Sequence, residues 1–292
     1  MRVRKTIVFL FLSSLAAPAA HSQNALEQLE GLSRSRLETA VPEAAAAEKK
    51  WDPSAPFSYH QNRGAVVSRD GAATLGNVRW GEAPWDHRSY DWRTAELRPE
   101  TLSKVYYGYK TSGVGHSFFV FVFGEGGFSS GGSDGVALTA GAEGWTREPE
   151  GYNVLYGFMD RYPLIWNLTT FESYADFTVT LKHSRLFLAE IKIPRGKALE
   201  LLSATLDRIE RTNASAEFYH SVSNNCTTNP VALLNSVLPE DKRVDERDLG
   251  LVTPTSSLPA LAVRKYRRLG VLAEKAVAVD ESNFRGFDIR GL

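Results

Sequence analysis

The chain has 292 residues, 43% of them apolar and 11% aromatic, with 34 Lys and Arg against 34 Asp and Glu and a single cysteine. Balanced charge with no basic stripe interleaved with aromatics argues against nucleic acid as a partner, and one cysteine rules out disulfides within the chain. The apolar content, over one to two domain lengths, suffices for an ordinary packed core.

Arg2, Arg4 and Lys5 precede the apolar run Ile7 to Leu15 and small residues through Ala20 and Ser22. This three-part layout predicts a secretory signal peptide over residues 1–22. Its run is shorter than the roughly 20 apolar residues that a bilayer requires, and no later segment is long enough either. Residues 23–50 read as a helical arm, with Leu26, Leu29, Leu32 and Leu37 on one face and a break at Pro42. A domain over residues 51–275 and a C-terminal tail over 276–292 complete the expected organisation.

Within the domain, Ala65 to Val67 and Ala73 to Trp80 flank the turn signal Asp70-Gly71 and read as a hairpin. Trp80, Trp85, Tyr90, Trp92 and, later, Trp145 form an aromatic set that suits either a ligand platform or a packed cover. Val114 to Phe123, rich in Val and Phe, predicts a central strand buried on both faces, with His116 at its mouth. Gly124 to Gly135 reads as a long turn, and Val136 to Ala140 as the returning strand. That hairpin would bring Glu143 beside the His116 end. Phe177 to Leu181 and Arg185 to Ile193 read as two more strands, Lys197 to Arg211 as an amphipathic helix, and Leu258 to Leu269 as a last helix with a basic end.

Cys226 lies in Tyr219-His220-Ser221-Val222-Ser223-Asn224-Asn225-Cys226-Thr227-Thr228-Asn229-Pro230, ahead of an apolar run of helical spacing. It is either a buried small side chain or a thiol kept for its reactivity. Asn225 or Asn229 can cap the helix; Pro favours the first helical position, which prefers Asn229 and leaves Cys226 in the turn before it. Proximity to a helix start predicts a thiol pKa below the usual value. A cysteine nucleophile needs a base, and His116 is the candidate; Glu143 is the candidate orienting group. Oxyanion or substrate contacts are expected from Asn225, Thr227 and Tyr219. His183 and His220 read as structural or solvated. A metal site from His116, His183, His220 and Cys226 lacks any short-spaced ligand pair, so neither a metal nor another cofactor is expected.

Gly115-His116-Ser117-Phe118 followed by an aromatic strand, together with Tyr219 and Asn224-Asn225-Cys226-Thr227-Thr228-Asn229, resembles the Lnb N-terminal periplasmic domain family. Asn77-Val78-Arg79-Trp80 and the Glu143 region extend the likeness to roughly residues 60–240, although Gly144-Trp145 stand where the family usually has a basic residue after the glutamate. The resemblance implies an α+β fold of permuted papain-like (NlpC-type) kind, an antiparallel sheet with packed helices in which the histidine strand precedes the cysteine helix. It also implies His116 and Cys226 as a catalytic pair. The function expected is an exported cysteine hydrolase or acyltransferase acting through a Cys226 thioester on a lipid, lipoprotein or peptide amide or ester, with no transmembrane segment and peripheral membrane contact left open. The alternative is a non-catalytic binding or assembly module of the cell envelope. The acyl donor, the acceptor and the oligomeric state are not expressed in the sequence.

Overall fold

A computed structural model describes residues 55–81, 90–112, 115–148, 151–215, 217–245 and 258–292. The expected signal peptide and helical arm lie outside the described residues, as does Trp85. Pro56–Leu292 folds as one unit.

Its described elements, in order, are β1 (Ala65–Ser68), β2 (Ala73–Trp80), β3 (Asp91–Leu97), β4 (Leu102–Lys110), β5 (His116–Phe123), β6 (Phe128–Ser130), β7 (Ser133–Asp134) and β8 (Ala137–Gly144). They continue with α1 (Val154–Gly157), β9 (Tyr162–Thr170), α2 (Phe171–Asp176), β10 (Leu186–Glu190), α3 (Arg195–Ala214), β11 (Phe218–Tyr219), α4 (Thr228–Val237), α5 (Leu258–Arg268) and β12 (Val277–Val279). The result is a mixed α+β fold with one open sheet in the order β12-β10-β4-β5-β8-β9-β2-β3-β6-β7, with β1 paired to β2 and β11 to β9. Pairing is antiparallel except between β2 and β9.

β5 explains the architecture. All eight of its residues are buried, because α4 and α5 cover one face of the sheet while α2 and the C-terminal segment cover the other. Each Phe or Val so enclosed contributes about 1.5–3 kcal/mol of apolar burial. On the α2 face, Phe118, Val120 and Val122 pack with Tyr106, Tyr174, Val179, Leu186 and Ile289. On the other, Tyr107 meets Phe119 and Tyr266.

Three expectations are corrected. Phe177–Leu181, expected to be a strand, is a π-helical turn continuing α2. The Thr170 hydroxyl, accepting from Ser173 N at 3.2 Å, starts that helix, and burial of Phe177, Thr178 and Val179 against the sheet keeps the chain helical. The segment after residue 275 is no loose tail: β12 pairs with β10, and Phe284, Phe287 and Ile289 join the α2-face core. The long turn 124–135 itself contains β6 and β7. β3 and β4 were absent from the sequence reading.

Candidate active site

The mouth of β5, the end of β8, the end of β4 and the start of β9 share one end of the sheet. Side chains alternate along β5, so His116 and Ser117 serve different faces. The His116 ring lies on the α2 face, stacked near Phe118 and Tyr174 at centroid distances of 5.9 and 6.4 Å. Its space depends on Gly141 of β8, where a Cβ would stand 3.2 Å from Nε2 of His116.

Glu143, two residues on, puts Oε1 3.6 Å from that Nε2. The carboxylate is held in turn. Gln61 Nε2 donates to Oε2 at 2.7 Å, and Asn167 Nδ2 approaches both oxygens at 3.4 and 3.5 Å. Gln61 is fixed because its Oε1 accepts from the N–H and hydroxyl of Thr146, each at 3.0 Å. Burial, and then the Lys110 ammonium, lower the His116 pKa to about 3. The ring is therefore neutral near pH 7, and its contact with Glu143 is dipole to carboxylate rather than an ion pair. Among the described residues Nε2 has no hydrogen-bond partner.

The cysteine half is built from side-chain hydrogen bonds, and each polar residue of the Asn-Asn-Cys-Thr-Thr-Asn run has a task. Asn225 Oδ1 accepts from Thr227 N at 2.8 Å and Thr228 N at 3.0 Å, while Thr228 Oγ1 accepts from Asn225 N at 2.9 Å. This reciprocal arrangement is a capping box. The cap is thus Asn225, not the expected Asn229; Thr227, next to α4, makes no side-chain cap bond. Asn224 donates to Glu217 Oε2 and Phe218 O, both at 3.0 Å. Asn229 donates to Asn224 Oδ1 at 2.9 Å and accepts from Arg208 Nε of α3 at 3.1 Å. Arg208 also pairs with Glu217, so one guanidinium braces the turn against α3.

Cys226 is 8% exposed. The Tyr219 hydroxyl stands 3.4 Å from both its Sγ and its backbone N, and Ser117 Oγ donates to its carbonyl at 3.0 Å. The nucleophile candidate is thereby tied to the residue next to His116. No hydrogen bond links Sγ to the imidazole among the described residues. The expected depression of the thiol pKa is reversed: burial pushes it up, outweighing the hydrogen bonds from Tyr219, Ser117 and Thr227 and the charge of Lys110. Tyr219 is itself held well above its usual pKa by burial and stays a donor. Of the expected oxyanion groups, Thr227 N and Asn225 Oδ1 are committed to the cap, Asn225 Nδ2 also donates to Ser221 O at 3.0 Å, and the Tyr219 hydroxyl is directed at the sulfur.

The sequence reading missed Lys110, Ser117, Gln61, Gly141 and Asn167. Lys110 is the cross-strand partner of His116, and among the described residues its ammonium has no hydrogen bond or ion pair. Burial lowers its pKa, opposed by Glu143 and Cys226.

The domain-family comparison decides the kinship: the family model described as "Lnb N-terminal periplasmic domain" matches residues 88–262, more than half of the chain. The chain belongs to the Lnb N-terminal periplasmic domain family. No curated protein and no solved structure matches it. The matched part of this Lnb-type domain contains Lys110, His116, Ser117, Glu143 and Cys226, and begins after Gln61 and Arg79. The family description supports a periplasmic location, and no helix of the described residues is long and apolar enough to cross a membrane.

The remaining candidates are accounted for locally. His183 pairs with Glu281 at 2.8 Å on the surface. His220 Nδ1 accepts from Val222 N and Ser223 N, both at 3.2 Å, and so fastens the turn before Cys226. The aromatic set is dispersed: Trp80 packs on Phe128, Tyr90 lies against Arg79 and Phe177, and Trp145 stacks on Phe57. Arg79 is buried, donating to His60 O at 2.7 Å and Ser173 Oγ at 3.1 Å.

Proposed function

We propose that this domain is an exported cysteine acyl-transfer enzyme, hydrolase or acyltransferase, with a permuted papain-like arrangement. The observation that carries the reading is the docking of the lone cysteine onto β5 beside a buried histidine whose ring faces a braced carboxylate. With Nε2–H turned toward Glu143, Nδ1 of His116 is the acceptor for the thiol proton. Sγ then bonds to the acyl carbon, and the oxyanion is faced by the Tyr219 hydroxyl. Collapse breaks the ester or amide bond, and the imidazolium returns its proton to the leaving group. Water or an amine resolves the thioester and regenerates the thiol. Because both thiol and imidazole start neutral, substrate must trigger the proton transfer; the Lys110 charge favours the anionic sulfur.

The substrate class is a lipid, lipoprotein or peptide ester or amide. An apolar acyl chain is favoured by three exposed apolar side chains on the turn before Cys226 and the turn bonded to it: Leu155 is 63% exposed, Val222 49% and Phe158 40%. Their turns are stitched together, since Ser221 N donates to Gly157 O at 3.0 Å and Ser221 Oγ to Val154 O at 2.9 Å.

The test is intact mass after incubation with cell-envelope lipid extract. An acyl adduct on Cys226 that disappears in His116→Ala is expected. The second reading, a non-catalytic envelope module on the same fold, is favoured by the raised thiol pKa and the missing Sγ–imidazole bond. It would win if a thiol probe labelled the native and His116→Ala proteins equally fast and neither formed an adduct.

A further inference from the structure

We propose that Pro230 and Ser117 work as a pair of positioning residues for Cys226: the proline withholds the helical donor from the Cys226 carbonyl, and the Ser117 hydroxyl takes that carbonyl instead. The inference rests on reading Cys226 as the nucleophile.

The helical ladder at the start of α4 is present on either side of one rung. Asn229 N donates to Asn225 O at 3.1 Å, and Val231 N donates to Thr227 O at 3.0 Å. The rung between them would run from residue 230 to the carbonyl of 226, and proline has no N–H to make it. A buried carbonyl left alone is unfavourable, so it must be satisfied from elsewhere. Ser117 Oγ does so at 3.0 Å. A serine hydroxyl has one proton, here directed to Cys226 O, and Thr227 Oγ1 stands 3.1 Å from the same hydroxyl. Ser117 and Thr227 are fully buried, so water does not compete. The freed rung thus becomes a tether from the cysteine turn to the strand that starts with His116. A non-proline residue at 230 would close the helix on itself and compete with the tether.

A double-mutant cycle tests this, reading thermal midpoint and the iodoacetamide alkylation rate of Cys226 across pH. Ser117→Ala should lower the midpoint and slow alkylation by about 10-fold or more, since small misplacement of a reacting group is expensive; Ser117→Thr should restore much of the rate. Adding Pro230→Ala to Ser117→Ala supplies a new N–H to the orphaned carbonyl. The midpoint should recover and the rate should not, a split that a merely structural role would not produce. If Ser117→Ala does not fold, Pro230→Ala alone should slow alkylation a few-fold without loss of midpoint. Recovery of rate together with midpoint, absence of any coupling in midpoint, or an unchanged rate in Pro230→Ala would overturn the proposal. A wild-type protein that forms no acyl adduct on Cys226 with cell-envelope lipid extract would sink the nucleophile reading instead, and the midpoint coupling would still report the carbonyl exchange.

Discussion

The two halves of the candidate site are built in different ways. The histidine half rests on sheet register: His116, Gly141, Glu143 and Asn167 occupy neighbouring positions on β5, β8 and β9, and Gln61 closes the group from outside. The cysteine half rests on side chains bonding to backbone and to one another within a turn, anchored by Arg208 and Ser117. A sheet ladder places a group by many shared bonds, whereas a capped turn places it by a few that single substitutions remove. The imidazole is thus held by collective structure and the thiol by individual hydrogen bonds.

The sharpest blow to the histidine half is Glu143→Gln, which keeps the shape and removes the charge facing the ring. Acyl transfer should fall by up to about 10⁴-fold, the cost of the carboxylate-to-amide change beside a triad histidine, while the thermal midpoint changes little; a loss of stability equal to the loss of rate would mean that Glu143 is structural. Next comes acid. His116 and His60 are each held near a pKa of about 3, chiefly by burial, against about 6.5 in an unfolded chain. Between these values the unfolded chain binds more protons than the folded one, so stability is full above about pH 6.5 and declines as pH falls toward 3. Denaturant unfolding at pH 7 and pH 4.5 should show this decline, and His116→Gln should reduce it. Smallest is Asn225→Ala in the cysteine half, expected to cost about 0.5–2 kcal/mol of stability through the lost cap. Its alkylation rate should drop out of proportion to that cost if the turn is what aims the thiol; a stability loss without a rate change would erase the contrast between the halves.

Much of the histidine half was legible because it follows strand rules. The Val/Phe run announced β5, and the return strand placed Glu143 on the correct end. Lys110 was not legible, because Leu102–Lys110 mixes two lysines, Ser103 and Gly108 with tyrosines, and its meaning appears only through the cross-strand partner His116. Gln61 and Asn167 act through contacts 82 and 24 residues away in sequence, which no local pattern records. The cap was misplaced because Asn224, Asn225, Thr227, Thr228 and Asn229 are all capping residue types and Pro230 points to Asn229, whereas the reciprocal bonds between Asn225 and Thr228 decide it. Phe177–Leu181 shows the converse, an alternation real in sequence and overruled by packing.

The enclosure of β5 has a dynamic consequence. From Phe119 to Val122 the strand pairs with β4 on one side and β8 on the other, under apolar layers on both faces. Amides so placed exchange with solvent deuterium only through global opening, whereas turns held by side-chain bonds open locally at far lower free energy. Deuterium exchange at Phe119–Val122 should therefore report global opening, and exchange in the 220–227 turn its local opening.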